Sequence, residues 1–277
     1  MTNFKLYKSL KIKTMKKTIL FIQKFVALAI VLGLSSCEDW DFIGMKGEGP
    51  IVSRNIETVE VEGIILDIPA TVYLIQGDVQ NISMEGQGNI LNNINYYSNG
   101  GVLKLEFDQP VSKSEPVVIY MTVKSLKDVY INGSGSILTQ SEFNTSGELN
   151  IGISGSGDID LKANAKWVNM NISGSGTINL VSICQEISCD ISGSGDINLN
   201  GGQAEKSNFN ISGSGNVKAY SFITKYCLVN ACGSGDTKVN VADFLSVEIN
   251  GSGNVYYQGS PSLSLHVSGS GEVIRVY

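Results

Sequence analysis

Residues 171–180 read NISGSGTINL, a Gly-Ser-Gly of the kind used in flexible linkers, set between two short stretches that alternate apolar and polar residues. The same tripeptide recurs at 133–135, 155–157, 174–176, 193–195, 213–215, 233–235, 251–253 and 269–271, with steps of 22, 19, 19, 20, 20, 18 and 18 residues. A period near twenty carried to the end of the sequence is the mark of a solenoid. Aligning on the first glycine gives two apolar columns. Two residues before it stand Ile131, Ile153, Ile172, Ile191, Ile211, Ala231, Ile249 and Val267. Four residues after it stand Ile137, Ile159, Ile178, Ile197, Val217, Thr237, Val255 and Val273.

These columns are mostly β-branched and their neighbours are polar, so the flanks read as strands with one buried face. A linker has no reason to repeat its apolar flanks in register. A phosphate-binding loop would need a helix after its glycines, and no helix-forming segment follows here. Each unit therefore reads as strand, Gly-Ser-Gly corner, strand and return loop, stacked on the next at about 4.8 Å. The glycines allow either positive φ or close backbone approach.

The polar columns fit the same stack. Three residues before the corner, Asn171, Asp190, Asn210 and Asn230 can form a ladder of side-chain amides. Just after the corner stand Ser136, Asp158, Thr177, Asp196, Asn216, Asp236, Asn254 and Glu272, where acid alternates with neutral as far as Asn254. A row of Ca²⁺ sites would use oxygen ligands of this kind, yet successive acids lie two coils apart, about 10 Å, too far to share one ion. The column reads as structural turn residues.

Residues 51–128 carry no Gly-Ser-Gly. They hold strand-like segments punctuated by turns, with SNGG at 98–101 a hairpin signal between ILNNINYY and VLKLEF. This part is expected to form a short β-sheet that caps the first coil and covers its edge. The solenoid proper is assigned to 129–277, and the fold class is all-β.

The first 36 residues contain seven Lys, no acid and an apolar run from Ile19 to Leu34, the pattern of a secretory signal. The heptapeptide MKKTILF from Met15 would itself begin a complete signal. Leu34-Ser35-Ser36-Cys37 resembles a bacterial lipobox, so Cys37 is expected to become the acylated N-terminus and to hold the protein on a membrane without a spanning helix. Residues 37–50 then form a tether, whose Glu38-Asp39-Trp40-Asp41 resembles the acidic segment that directs Bacteroidetes lipoproteins to the outer surface. Either the cell surface or the periplasmic face of the outer membrane fits. Of 20 Lys and Arg and 26 Asp and Glu, residues 37–277 keep 13 and 26, a net charge of −13. Such a surface repels nucleic acid and anionic headgroups.

Conventional chemistry is sparse. The lone histidine, His266, falls in an outward column. Cys184, Cys189, Cys227 and Cys232 lack zinc-like spacing. Cys189 and Cys227 are inward and two coils apart, beyond the Cα distance of a disulfide. The four read as small apolar residues in the core or on its rim, with Cys184–Cys189 the one bridge to consider. Asp158 and Asp160, on one strand face, could serve a polysaccharide-acting β-helix enzyme, but such enzymes break their repeat at the cleft and this repeat runs on. No catalytic residue, metal or cofactor is expected. The favoured reading is a non-catalytic scaffold that presents a rigid face to carbohydrate or to a surface protein.

The segment 59–107, from VEVEGIILDIPATVYLIQG to VLKLEF, followed by VVIYMTVKSLKDVYINGSGSI at 117–137 and the serial Gly-Ser-Gly coils, resembles the putative autotransporter adhesin, head GIN domain family. The resemblance runs from about residue 52 to the end. It implies an all-β stack on exported proteins of Bacteroidetes and brings no catalytic or ligand residues.

Overall fold

Alternating β-branched sequence builds strands, and a repeated register builds a stack of them. The computed structural model describes residues 44–277 and shows both. Strands before the corners pair in parallel, coil on coil: Asp128–Ile131 with Glu148–Ile153, then Trp167–Ile172, then Glu186–Ile191. Strands after the corners do the same, as Asp158–Asn164 with Thr177–Ile183. The pairings Ile153↔Ile172↔Ile191↔Ile211 reproduce the expected inward column, and those residues are buried. Each corner is itself a rung of the stack. Ser194 N–H donates to the Gly174 carbonyl at 2.8 Å, and Ser214 N–H to that of Gly193 at 2.8 Å.

Most corner glycines serve close approach. A Cβ added to Gly213 would lie 1.9 Å from the Gly193 oxygen, closer than any real side chain comes. The first, Gly133, meets nothing within 4 Å and adopts φ 149°, and positive φ matters again at the predicted hairpin. Ile94–Asn99 and Val102–Phe107 are antiparallel, and Gly100 and Gly101 turn between them at φ 59° and 81°. The part of this segment read as strand at Ile90–Asn92 is instead a short helix, Gly88–Asn92, which buries Ile90 and Leu91.

One further expectation needs correction. The return loop survives only in the early coils. Later, one strand runs through the return: Asp196–Ile211, Val217–Ala231 and Thr237–Ile249, with bulges at Leu180/Val181 and Ala219/Ile223 absorbing the bend. The stretch expected as a capping β-sheet does precede the Gly-Ser-Gly coils, and it also contributes parallel strands to the stack. Gly63–Leu66 and Ala70–Gln76 stack on Asp128–Ile131 and Ser136–Thr139. On their other side lie Val102–Phe107 and Val117–Val123, so chain order and stacking order differ. Antiparallel strands finish this end: Ile94–Asn99, Asn81–Gln87 and Ile51–Asn55.

At the opposite end the strand Ser262–Val267 pairs with Phe244–Ile249, and its inward residues Leu263, Leu265 and Val267 are exposed. Among the described residues no helix is long and apolar enough to cross a membrane. Cys37 and the preceding signal lie outside the described residues.

Candidate functional site

Period-two alternation sends Val168, Met170 and Ile172 into the core and leaves Trp167, Asn169 and Asn171 on the outer face of the same strand. Parallel register then stacks like positions. The expected amide ladder forms over three of its four positions: Asn230 Nδ2 donates to Asn210 Oδ1 and Asn210 Nδ2 to Asp190 Oδ1, both at 2.8 Å, while Asn171 stacks beside Asp190 without joining it. A neighbouring ladder runs from Asn169 to Asn150 (3.0 Å) and on to Asp128 (3.2 Å). His266 continues the first column beyond Asn230 and Glu248, exposed.

The column after the corners is occupied by backbone bonds. Asn216 N–H donates to Asp196 Oδ1 (3.0 Å), Asp236 N–H to Asn216 Oδ1, Asn254 N–H to Asp236 Oδ1 and Glu272 N–H to Asn254 Oδ1, each of the last three at 2.9 Å. Side-chain oxygen thus satisfies the first amide of the next coil, the role of a turn residue. Lys218 also bridges Asp196 at 2.7 Å. Partial burial pushes Asp196 upward, but Lys218 and the Asn216 amides outweigh it and hold the carboxyl below its ordinary value.

Asp158 and Asp160 stand exposed on one strand, each facing neutral neighbours, Ser136 and Thr177 for the first and Leu138 and Asn179 for the second. The cavities on this surface are lined by other residues. All four described cysteines are free thiols, including Cys184 and Cys189. Cys189 stacks under Phe209 and Val229, whereas Cys227 stacks over Ser207, so the two occupy different columns. Burial pushes the Cys227 thiol up to about 12 and the Cys184 thiol up to about 11. Cys232 alone is exposed.

One feature of the face escapes the column-by-column reading of the sequence. Trp167 is 42% exposed and lies between Glu148 and Glu186 in the ladder. The Lys166 ammonium sits over its ring at 4.2 Å from the centroid. Trp167, Glu148, Glu186, Asn169 and Ser188 line an open cavity of about 310 Å³. Glu148 accepts from Asn169 Nδ2, and Glu186 from Asn208 Nδ2 at 3.2 Å. Among the described residues neither carboxylate has a cationic partner. The signal was present in the period: position seven before the corner glycine holds Glu148, Trp167 and Glu186 in succession.

Several solved structures share this architecture. A protein described as a putative adhesin from Parabacteroides merdae superposes with a TM-score of 0.77 at 24% identity, over 84% of this chain and 99% of that one. One from Parabacteroides distasonis, also described as a putative adhesin, gives 0.78 at 23%, again over 84% and 99%. A second P. distasonis protein, described as a putative lipid binding protein, gives 0.75 at 25% over the same shares. No curated protein matches the sequence. The profile of the family described as "putative auto-transporter adhesin, head GIN domain" matches residues 60–201 and 172–261, which is most of the solenoid. With that match spanning more than half of its length, this chain belongs to the head GIN domain family of putative auto-transporter adhesins.

Proposed function

We propose that the protein is a non-catalytic cell-envelope lipoprotein, tethered through acylated Cys37, whose solenoid presents a binding face to carbohydrate or to another surface protein. The observation that carries this reading is the pair of continuous amide and carboxylate ladders on the outer face, Asp190–Asn210–Asn230 and Asp128–Asn150–Asn169. They repeat hydrogen-bonding groups at the strand spacing along a rigid surface, which suits weak contacts multiplied along a polymer or a crowded surface. The adhesin descriptions of the family and of its solved relatives support it. The cavity beside Trp167 is lined mainly by carboxylate, amide and hydroxyl groups, a lining better matched to hydroxyl groups than to an acyl chain.

The test uses residues 38–277, as monomer and clustered on beads, against intact cells and glycan arrays. Clustered protein should bind where the monomer binds weakly. Release of reducing ends from a polysaccharide, or tight binding of one small molecule by the monomer, refutes the proposal. The anchor is checked separately by metabolic fatty-acid labelling, which should mark the wild type and spare Cys37→Ala.

A further inference from the structure

We infer that the cavity beside Trp167 is a subsite for one sugar ring of a glycan free of acid groups, the ring stacking on the indole while Glu148, Glu186, Asn169 and Ser188 take its hydroxyls. The inference rests on the scaffold reading above and adds the place and the ligand class. Three observations lead to it.

The first is the indole itself. On the two flanking strands the outward positions hold Glu148, Asn150 and Gly152 on one side and Glu186, Ser188 and Asp190 on the other, and a large aromatic ring left 42% exposed among them forgoes burial worth having. Lys166 stands over the ring and is not among the residues that line the cavity, whereas Asn169 and Ser188 line it together with Trp167. The indole therefore gives the cavity an apolar wall.

The second is the hydrogen-bonding balance. Asn169 Nδ2 is already engaged with Glu148 and Asn150, and Asn208 Nδ2 with Glu186. These amide donors are engaged, while each carboxylate keeps acceptor capacity and the Ser188 hydroxyl and the indole N–H can still donate. A ligand for such a site must bring many donors together with an apolar plane. A pyranose offers both, with hydroxyls around its rim and C–H bonds on its faces.

The third is spacing and charge. Glu148 and Glu186 flank Trp167 one strand away on either side, so their backbones lie about 10 Å apart, a gap that a six-membered ring with its hydroxyls can bridge. The cavity's volume of about 310 Å³ falls at the small end of the range for ligand sites, room for one ring, with the rest of a glycan able to leave through its open side. Its charge comes from two carboxylates without cationic partners among the described residues, on a chain whose 37–277 segment is strongly acidic. Uronic, sialic or phosphorylated sugars would be repelled.

The experiment places residues 38–277, clustered on beads, on a printed array of neutral, amino and acidic glycans, with an oligolysine peptide as a further probe. Variants are Trp167→Ala, Trp167→Tyr, Glu186→Gln and, as a control on the return edge, Ile183→Ser. All three positions are at the surface, so unchanged melting curves should verify folding. The expected result is binding to neutral or amino glycans that falls roughly ten-fold in Trp167→Ala, less in Trp167→Tyr and Glu186→Gln, and not at all in Ile183→Ser. Glycan binding that Trp167→Ala leaves intact overturns the subsite and spares the scaffold reading. Preference for acidic glycans also overturns it, as does Trp167-dependent capture of oligolysine without any glycan. Absence of glycan binding by the wild type, with cell binding retained, leaves a protein-binding scaffold and overturns the sugar site.

Discussion

Gly213→Ala tests why the repeat carries glycine. In the structure a Cβ at this position meets the Gly193 oxygen at 1.9 Å, its carbonyl carbon at 2.8 Å and its nitrogen at 3.0 Å. All three are backbone atoms, fixed by the coil beneath. Relief to ordinary contact requires the two corners to part by about 1.5 Å, which takes the 2.8 Å bond from Ser214 N–H to the Gly193 carbonyl beyond hydrogen-bonding range. Overpacking and one lost bond together cost about 3 kcal/mol. For a domain of this size that lowers the melting temperature by about 6–12 °C. Gly147→Ala is the matched control, because nothing lies within 4 Å of its added Cβ and its φ is not positive. It should be neutral or slightly stabilising, since alanine restricts the unfolded chain. The assay is calorimetry and urea unfolding of residues 38–277 carrying each change. If Gly213→Ala melts within about 2 °C of Gly147→Ala, close backbone approach is not what these glycines provide.

Other expectations follow from single side chains. The Thr237 hydroxyl is buried without a partner in a column otherwise filled by Ile and Val, so Thr237→Val should stabilise by about 1 kcal/mol, read as a higher urea midpoint. Asp196 is held below the ordinary carboxylate range, so its stabilising contribution is full above the unfolded value near 3.9 and is lost as pH falls through the lower folded value. Lys218→Met should therefore cost less than about 1 kcal/mol at pH 7, and the deficit should shrink as pH falls below the ordinary carboxylate range, read in urea midpoints taken across pH. Against a thiol reagent at pH 8, Cys232 should react fast and Cys184 slowly, while Cys189 and Cys227 should stay silent until the chain unfolds. Prompt reaction of all four would mean that the core columns are open.

The repeat was legible because burial in a solenoid is decided coil by coil. The inward columns around Ile172 and Ile178 follow from local alternation, and the period alone places residue 172 beside 153 and 191. The Asn210–Asn230 ladder follows from the same alignment, and the hairpin at 98–101 from the two glycines that its turn requires. What alternation cannot report is which strand lies beside which when no period links them. Gly63–Leu66 sits between Val102–Phe107 and Asp128–Ile131, out of chain order, and only the full set of hydrogen bonds and packed side chains selects that arrangement. Nor does composition separate a loop from a strand that bends through a bulge, so the continuous strand Asp196–Ile211 had no distinct local signature. The glycines at the corners are a similar case. Their identity follows from the sequence, but whether they serve φ or contact depends on atoms some twenty residues away, such as the Gly193 oxygen under Gly213. For the same reason the cavity at Trp167 exists only once three coils are stacked, when Glu148 and Glu186 come to stand on either side of an indole that burial alone would have hidden.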